Sequence, residues 1–217
     1  MMREYLAGEI IKPNSPVVKL DEELLDNKMH PLVLVHNDGS LNKLFHLTSS
    51  KNYNSILSNI IYYKLTPGLN VQYNSQMVFM NTFIRCDQIH ELTSEELYSC
   101  RRFFAFLTPD TKHIIEDIVS THYFIYNFLR SNNVIEENLV SEELKSSIFY
   151  NDYEMYENNR YKKIINLLLN RNNYISFIKE INRKYSVNLD VDSTYYQYLQ
   201  DVKNAYTPKE NVSKRVA

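Results

Sequence analysis

The residues best suited to chemistry are Arg85 and Asp87, two residues apart in the segment 83–92. The segment is predicted as a half-buried strand, whose alternate side chains point to opposite faces, so Arg85 and Asp87 project from the same face. Their attachment points would lie about 6 to 7 Å apart, with room for a phosphate or ribose oxygen between cation and carboxylate. The alternative is an exposed same-face ion pair that contributes little energy.

The hydroxyl residues Thr48 and Ser49 follow a strand predicted at 41–47. Hydroxyls and successive backbone amides at a strand end can hold an anion. The alternative is a turn that caps the segment 54–59. His46 lies two residues before Thr48 and would share its face, either in a groove or as an ordinary core or surface residue.

His30 stands immediately before Pro31, at the start of an aliphatic strand predicted at 32–36. Proline restricts the preceding residue to an extended conformation, which would aim the imidazole at the rim of a sheet. Imidazole exchanges protons near neutral pH, so His30 is a candidate acid or base, and the alternative is a structural role. No Cys or His spacing typical of a metal site occurs, and we expect no cofactor.

Composition indicates an ordinary globular chain of 217 residues, 44% hydrophobic and 23% charged. The net charge of -2 excludes a broadly basic protein, so any contact with nucleic acid must come from a local patch. Cys86 and Cys100 are too few for a disulfide framework and indicate a reducing compartment. Neither an apolar signal core nor a run of about 18 apolar residues occurs, so we expect a soluble, cytoplasmic protein without a membrane partner.

The first 130 residues combine short strands with helices, and the strongest pattern is a hairpin. Its strands, 32–36 and 41–47, flank Asn-Asp-Gly-Ser, in which the Asp-Gly pair suits positive backbone angles. Further strands are predicted at 5–11, 60–64 and 76–89, and helices at 93–104 and 108–130. This order indicates an α+β domain built on a small, curled, SH3-like β-barrel with packed helices.

After residue 130 the pattern is entirely helical, so we predict a barrel domain at 1–130 and an α-helical extension at 131–217. Its helices are predicted at 141–149, 152–169, 174–185 and 193–206. The extension has four open roles: partner binding, oligomerisation, built-in inhibition, or a part of an RNA groove. Its many tyrosines fit either stacking on single-stranded bases or helix packing.

In order and spacing, several pieces between Gly8 and Phe124 resemble the MazF, PemK and Kid family of toxin endoribonucleases. The pieces are Gly8-Glu9-Ile10, His30-Pro31 before an aliphatic strand, Thr48-Ser49 at a strand end, and Arg85-Cys86-Asp87-Gln88. The resemblance implies a barrel of the PemK and CcdB type and metal-independent cleavage of single-stranded RNA to a cyclic phosphate. It also implies a cognate antitoxin protein and a homodimer.

The resemblance further implies roles for individual residues. Arg85 and Asp87 stand where Kid-type toxins have catalytic residues, with Asp87 as the base and Arg85 as the stabiliser or acid. His30 replaces the Arg that many members carry before the proline and is the third catalytic candidate. Four more residues are expected to bind substrate: Thr48, Ser49, His46 and Gln88.

Three features depart from the family pattern: the acidic segment 21–26, the missing Arg before Pro31, and the added helices. An acidic segment would repel a phosphate backbone. These features favour an alternative in which a catalytically altered PemK-like module binds a protein partner, as the related CcdB toxins bind gyrase. A third, weaker alternative is an ADP-ribosyltransferase, suggested by Phe45-His46-Leu47-Thr48 but without a convincing catalytic Glu later in the chain.

Overall fold

The computed structural model describes residues 4–13, 31–39, 41–48, 54–65, 71–73, 82–107 and 110–206 of the chain. His30, Ser49 and the acidic segment 21–26 lie outside the described residues. The strands are β1 (Glu9–Lys12), β2 (Leu32–Asn37), β3 (Leu41–Thr48), β4 (Tyr62–Lys64), β5 (Val71–Tyr73), β6 (Phe83–Arg85), β7 (His90–Thr93) and β8 (Arg101–Leu107). The helices are α1 (Ile56–Ile61), α2 (Ser94–Ser99), α3 (Thr111–Ser131), α4 (Leu139–Ile148), α5 (Asp152–Glu157), α6 (Asn159–Leu169), α7 (Arg171–Tyr185) and α8 (Val191–Tyr206).

The strands of the described residues form one antiparallel sheet in the order β4-β6-β3-β2-β1-β8-β5, and β7 pairs with β3 as well. Within these residues β4 and β5 are the two edges and do not pair with each other, so the sheet is open. The predicted α+β class is confirmed. A closed SH3-like barrel is not present in the described part of the chain.

The predicted hairpin is confirmed by the pairing of β2 with β3. Its turn is held by side chains, because the Asn37 carboxamide oxygen accepts from the Gly39 amide at 2.8 Å and Asp38 accepts from the Leu41 amide at 2.8 Å. Gly39 has a φ of +90°, which a residue with a Cβ rarely adopts. The turn chemistry therefore sets the pairing at the start of the hairpin, and an irregularity between Leu34 and His36 shifts the register before the pairing reaches His46.

The segment 83–92 is not the single strand that its pattern predicts. Leu47 of β3 pairs with Ile84, whereas Leu44 of β3 pairs with His90. The two pairs are three residues apart in β3 but six residues apart in the segment 83–92. The partner segment thus has three residues more than β3 over this stretch, and the four residues 86–89 separate β6 from β7. Asp87 consequently lies in a connection and not in a strand.

Three further element predictions need correction. The strand predicted at 5–11 begins only at Glu9, because a turn with Gly8 at a φ of +88° precedes it. The strand predicted at 60–64 is helical up to Ile61, in α1, whose N-terminus is capped by Ser55. The helix predicted at 93–104 has the expected capping box at Thr93 but ends at Ser99, since residues 101–107 pair with both β1 and β5.

The helical nature of the extension is confirmed, with one division that the pattern does not indicate. The single helix predicted at 152–169 is two helices, α5 and α6, separated at Asn158. The Asn158 side chain accepts from the amides of Arg160 at 2.9 Å and Tyr161 at 3.0 Å, which starts a new helix there.

The two faces of the sheet are covered differently. One face contributes Ile10, Val33 and Phe45 to a large core that continues through α3 and the extension as far as Tyr198. A smaller cluster around Leu34 and Leu44 covers the opposite face. The predicted boundary at residue 130 falls in the last turn of α3, and the division into two folding units stays a prediction that truncation can test.

Candidate functional site

Strand register brings predicted site residues to one face of the sheet, which we call the polar face. Thr48 lies opposite Phe83, and Leu47 lies opposite Ile84. Because directly opposite residues project to the same side, Thr48 and Arg85 share a face, and His46 belongs to it as well. Leu47 and Ile84 project the other way, into the large core.

Arg85 and Asp87 form a two-pronged ion pair on this face. Arg85 Nε donates to Asp87 Oδ1 at 2.7 Å, and the terminal nitrogen Nη2 donates to Oδ2 at 3.1 Å. The two side chains are only 6% and 1% exposed. The two side chains meet, although Asp87 lies outside the strand from which their common face is predicted. The alternative of an exposed ion pair is wrong, since both side chains are buried. Their catalytic roles stay predictions.

A second cation reaches Asp87 from the extension. Lys184 near the end of α7 places Nζ 3.2 Å from Asp87 Oδ2. Burial alone would raise the pKa of the Asp87 carboxyl, but the hydrogen bonds and charges of Arg85 and Lys184 outweigh burial and hold this pKa below its usual value. Asp87 is therefore ionised at neutral pH.

The docking of α7 also fixes α1, the helix that leads into β4. The Glu180 carboxylate accepts from the backbone amides of Ile56 at 3.2 Å and Leu57 at 3.0 Å, at the start of α1. A carboxylate is favourable at this position because the first amides of a helix have no partner inside the helix. Glu180 and Lys184 thus connect one helix of the extension to two parts of the sheet domain.

His90, at the start of β7, contacts His46 across the sheet. His46 Nδ1 and His90 Nε2 lie 3.4 Å apart; His46 is 1% exposed, while His90 is half-buried. A hydrogen bond between two imidazoles needs one donor and one acceptor, so the contact favours a state in which one proton lies between the rings. Sequence spacing gave no signal for His90, because its position depends on the break between β6 and β7.

A cavity of about 310 Å³ lies beside this histidine pair. One wall is the connection after β6, with Asp87, Gln88 and His90, and the opposite wall comes from α3, α4 and the segment between them. We call it the Gln88 cavity. Asp87, whose carboxyl group is ionised, and His90 are thus both among its lining residues.

His122 anchors the helical wall and is itself structural. Its Nδ1 donates to the Cys86 carbonyl oxygen at 2.8 Å, and its Nε2 accepts from the Ser141 hydroxyl at 2.8 Å. Burial lowers the pKa of His122 to about 4, so the ring is neutral at physiological pH. Burial also raises the pKa of the Cys86 thiol to about 12, which makes it a poor nucleophile.

The remaining predicted site residues are placed as follows. Thr48 is half-buried at the end of β3, His46 is buried behind His90, and Gln88 is half-buried at the cavity. The tyrosines of the extension differ in burial. Tyr161 and Tyr198 are each 6% exposed and pack in the core, whereas Tyr150 is 95% exposed. Packing is thus confirmed for the buried tyrosines.

Metal clusters and membrane-spanning helices are both absent from the described residues. No group of three or more His, Cys, Asp or Glu side chains in the described ranges is placed to hold a metal ion. None of the helices in these ranges combines the length and apolarity that a membrane span needs.

No family model matches the chain, and no curated protein or solved structure is significantly similar to it. The resemblance to toxin endoribonucleases stays a prediction from the residues themselves.

Proposed function

We propose that this chain is a metal-independent endoribonuclease that cleaves single-stranded RNA at the Gln88 cavity. One observation carries the proposal: Asp87 and His90 line the same cavity, and each contacts another ionisable side chain. Arg85 and Lys184 support the carboxylate, and His46 contacts the imidazole. A positioned acid and a positioned base are the groups that RNA transesterification needs.

The reaction is an attack of the ribose 2'-oxygen on the adjacent phosphorus, which breaks the bond from phosphorus to the 5'-oxygen. Asp87 accepts the 2'-hydroxyl proton, and protonated His90 gives a proton to the leaving 5'-oxygen. The products are a 2',3'-cyclic phosphate and a 5'-hydroxyl. Exchange with water returns the proton from Asp87 and restores the proton on His90. A positioned proton-transfer group contributes about 10² to 10⁴ in rate.

Arg85 acts first on Asp87 and then on the phosphate. Asp87 accepts from Arg85 Nε and Nη2, and this pairing orients the carboxylate for proton transfer. In the proposed reaction the positive charge of Arg85 then stabilises the phosphate, the role that the toxin resemblance implies for it. Asp87 lines the cavity, whereas Arg85 is not among its lining residues and is 5% exposed, so in the proposed complex RNA approaches the pair from the Asp87 side. His30 is retained as a further candidate for proton transfer, and Thr48 and Ser49 as phosphate contacts.

The toxin resemblance adds partners to this proposal. It implies a cognate antitoxin that covers the RNA site, a homodimer, and the curvature of an SH3-like sheet. The cytoplasmic location that the cysteine content predicts is compatible with these partners. The net charge of -2 supports a local binding site and not binding along a basic surface.

Incubation of the full chain with single-stranded RNA in chelator tests this function. We expect cleavage that His90→Gln reduces by about 10² to 10⁴, the usual contribution of a positioned acid. His113→Gln is the matched control, because His113 on α3 has a side chain that is 70% exposed and lies outside the cavity lining. Equal rates for the two variants, both folded by circular dichroism, would falsify the assignment of His90.

The burial of the Arg85 and Asp87 pair favours a second candidate function, a binding module that keeps the pair for structure. Such a protein would leave RNA intact and capture a stoichiometric protein partner. Intact RNA, at protein concentrations equal to that of the RNA, would therefore support the binding module over the nuclease.

A further inference from the structure

The Gln88 cavity has the dimensions of a site for one small ring system. Its volume of about 310 Å³ lies at the low end of the range of about 300 to 1,000 Å³ that small-molecule sites occupy. It is formed where the connection after β6 meets α3 and α4. A polymer does not fit inside, but a single group projecting from a polymer does.

The lining combines apolar surfaces with hydrogen-bonding groups. Ile125 and Leu129 of α3 supply apolar surface, while Gln88 and His90 supply polar groups from the facing connection. A carboxamide offers both a donor and an acceptor, as the edge of a heterocyclic base does. Apolar contact for a ring face and polar contact for a ring edge are the two requirements of base recognition.

The charge of the lining argues against an anionic ligand. Neither Lys nor Arg is among the described residues that line the cavity, and its one carboxylate, Asp87, is already paired with Arg85 and Lys184. His122 is neutral because burial lowers its pKa to about 4. Among the described lining residues, only the His90 imidazole can therefore offer a phosphate a positive charge, whereas a neutral heterocycle needs none.

The helical wall is held in place before any ligand arrives. The Ser141 hydroxyl donates to His122 at 2.8 Å, and the backbone amide of Asn138 donates to the Tyr126 hydroxyl at 3.1 Å. The Asn138 side chain in turn accepts from the Val140 amide at 3.0 Å. A preformed wall lowers the ordering cost of binding.

We propose that the Gln88 cavity binds one nucleobase, held between the apolar surface of α3 and the polar edge of Gln88. The identification of this base with the RNA residue beside the cleaved bond rests on the proposed function; binding of the base itself does not. The extension then contributes directly to recognition, because α4 and the segment before it form part of the cavity wall.

Titration of the full chain with adenosine, guanosine, cytidine and uridine, each followed by NMR, tests this inference. We expect saturable binding of at least one nucleoside and no displacement by inorganic phosphate. Gln88→Leu, which keeps the size but removes the carboxamide, should weaken that binding about tenfold, as the loss of a hydrogen bond predicts. Ile135→Trp, which fills the cavity from a half-buried position in its lining, should abolish it.

Leu139→Trp is the control, because Leu139 is 68% exposed and lies outside the lining. It should bind the nucleoside like the native chain. Absence of saturation by all four nucleosides, displacement by phosphate, or equal affinity in Ile135→Trp and Leu139→Trp would overturn the inference. RNA cleavage without nucleoside binding leaves the proposed function standing and rejects the inference, whereas nucleoside binding without cleavage does the opposite.

Discussion

Replacing Asp87 by Asn should destabilise the fold strongly, because the substitution leaves the buried Arg85 cation without its carboxylate. The side chains of Asp87 and Arg85 are 1% and 6% exposed, so water cannot solvate the Arg85 cation that the substitution leaves without its carboxylate. Removing one partner of a buried ion pair costs about 3 to 5 kcal/mol. This is a large part of a typical total stability of about 5 to 15 kcal/mol.

Urea unfolding at pH 7, followed by circular dichroism, measures this change in the free energy of unfolding. The double variant Arg85→Met, Asp87→Leu should recover most of the loss, since apolar side chains of similar volume avoid burying a charge. Glu157→Gln is the control, because Glu157 and its partner Lys162 are 43% and 37% exposed and such pairs contribute about 0 to 1 kcal/mol. A loss in Asp87→Asn no larger than in this control would refute the burial of the pair.

The same pair predicts the direction of the pH dependence. The pKa of Asp87 lies below its ordinary value of 3.8, so the unfolded chain binds this proton first as the pH falls. The stabilisation is fully present above the ordinary value and is lost as the pH falls through the folded-state pKa. The stability difference between the native chain and Asp87→Asn should therefore shrink on acidification below about pH 4.

Three further predictions concern the extension and the thiols. Lys184→Met should move the pKa of Asp87 back toward its ordinary value and raise the pH of acid unfolding; an unchanged midpoint would exclude the contact of Lys184 with Asp87. A fragment that ends at Asn132 should lose its cooperative thermal transition, because α3 then lacks the helices that cover it; a sharp transition would support two independent folding units. In a Cys100→Ser background, Cys86 should react with a thiol reagent only after unfolding, since it is 0% exposed and burial raises its pKa to about 12; rapid labelling of the native chain would contradict its burial.

The packing of α7 argues against one of the four roles considered for the extension, that of a built-in inhibitor. Phe177, Ile178 and Ile181 are each 0% exposed. Burying three such side chains contributes about 5 to 9 kcal/mol, which is comparable with the stability of a whole domain. A built-in inhibitor that detaches α7 is therefore disfavoured, and Lys184 is a permanent neighbour of Asp87.

Local features of the fold could be predicted because their causes lie within a few residues. The predicted hairpin turn is a short-range pattern of this kind, and the hairpin is confirmed. The helices α2 and α3 also depend on short-range features, namely a capping box at Thr93 and a buried apolar side of α3. The contact between Arg85 and Asp87 is local as well, because the two residues are only two positions apart in the chain. Short-range patterns thus identify one half of the candidate site.

The other half depends on long-range pairing that periodicity does not encode. His90 meets His46 only because the four residues 86–89 interrupt the ladder between β6 and β7. Lys184 reaches Asp87 across nearly 100 residues of chain through the packing of α7. The residue pattern of the aromatic segment 101–107 is as compatible with one side of a helix as with a strand. The segment forms a strand because it pairs with both β1 and β5.

The most direct test of the proposed chemistry compares two RNA oligonucleotides that differ at one atom. After the cleavage position is mapped, the ribose on its 5' side is replaced by 2'-deoxyribose, and both oligonucleotides are incubated with the full chain in chelator. We expect the all-ribose oligonucleotide to give a cyclic phosphate end by mass spectrometry, and the 2'-deoxy oligonucleotide to stay intact at that position. Cleavage of the 2'-deoxy oligonucleotide there, or a linear 5'-phosphate end from the first, would contradict attack by the 2'-oxygen.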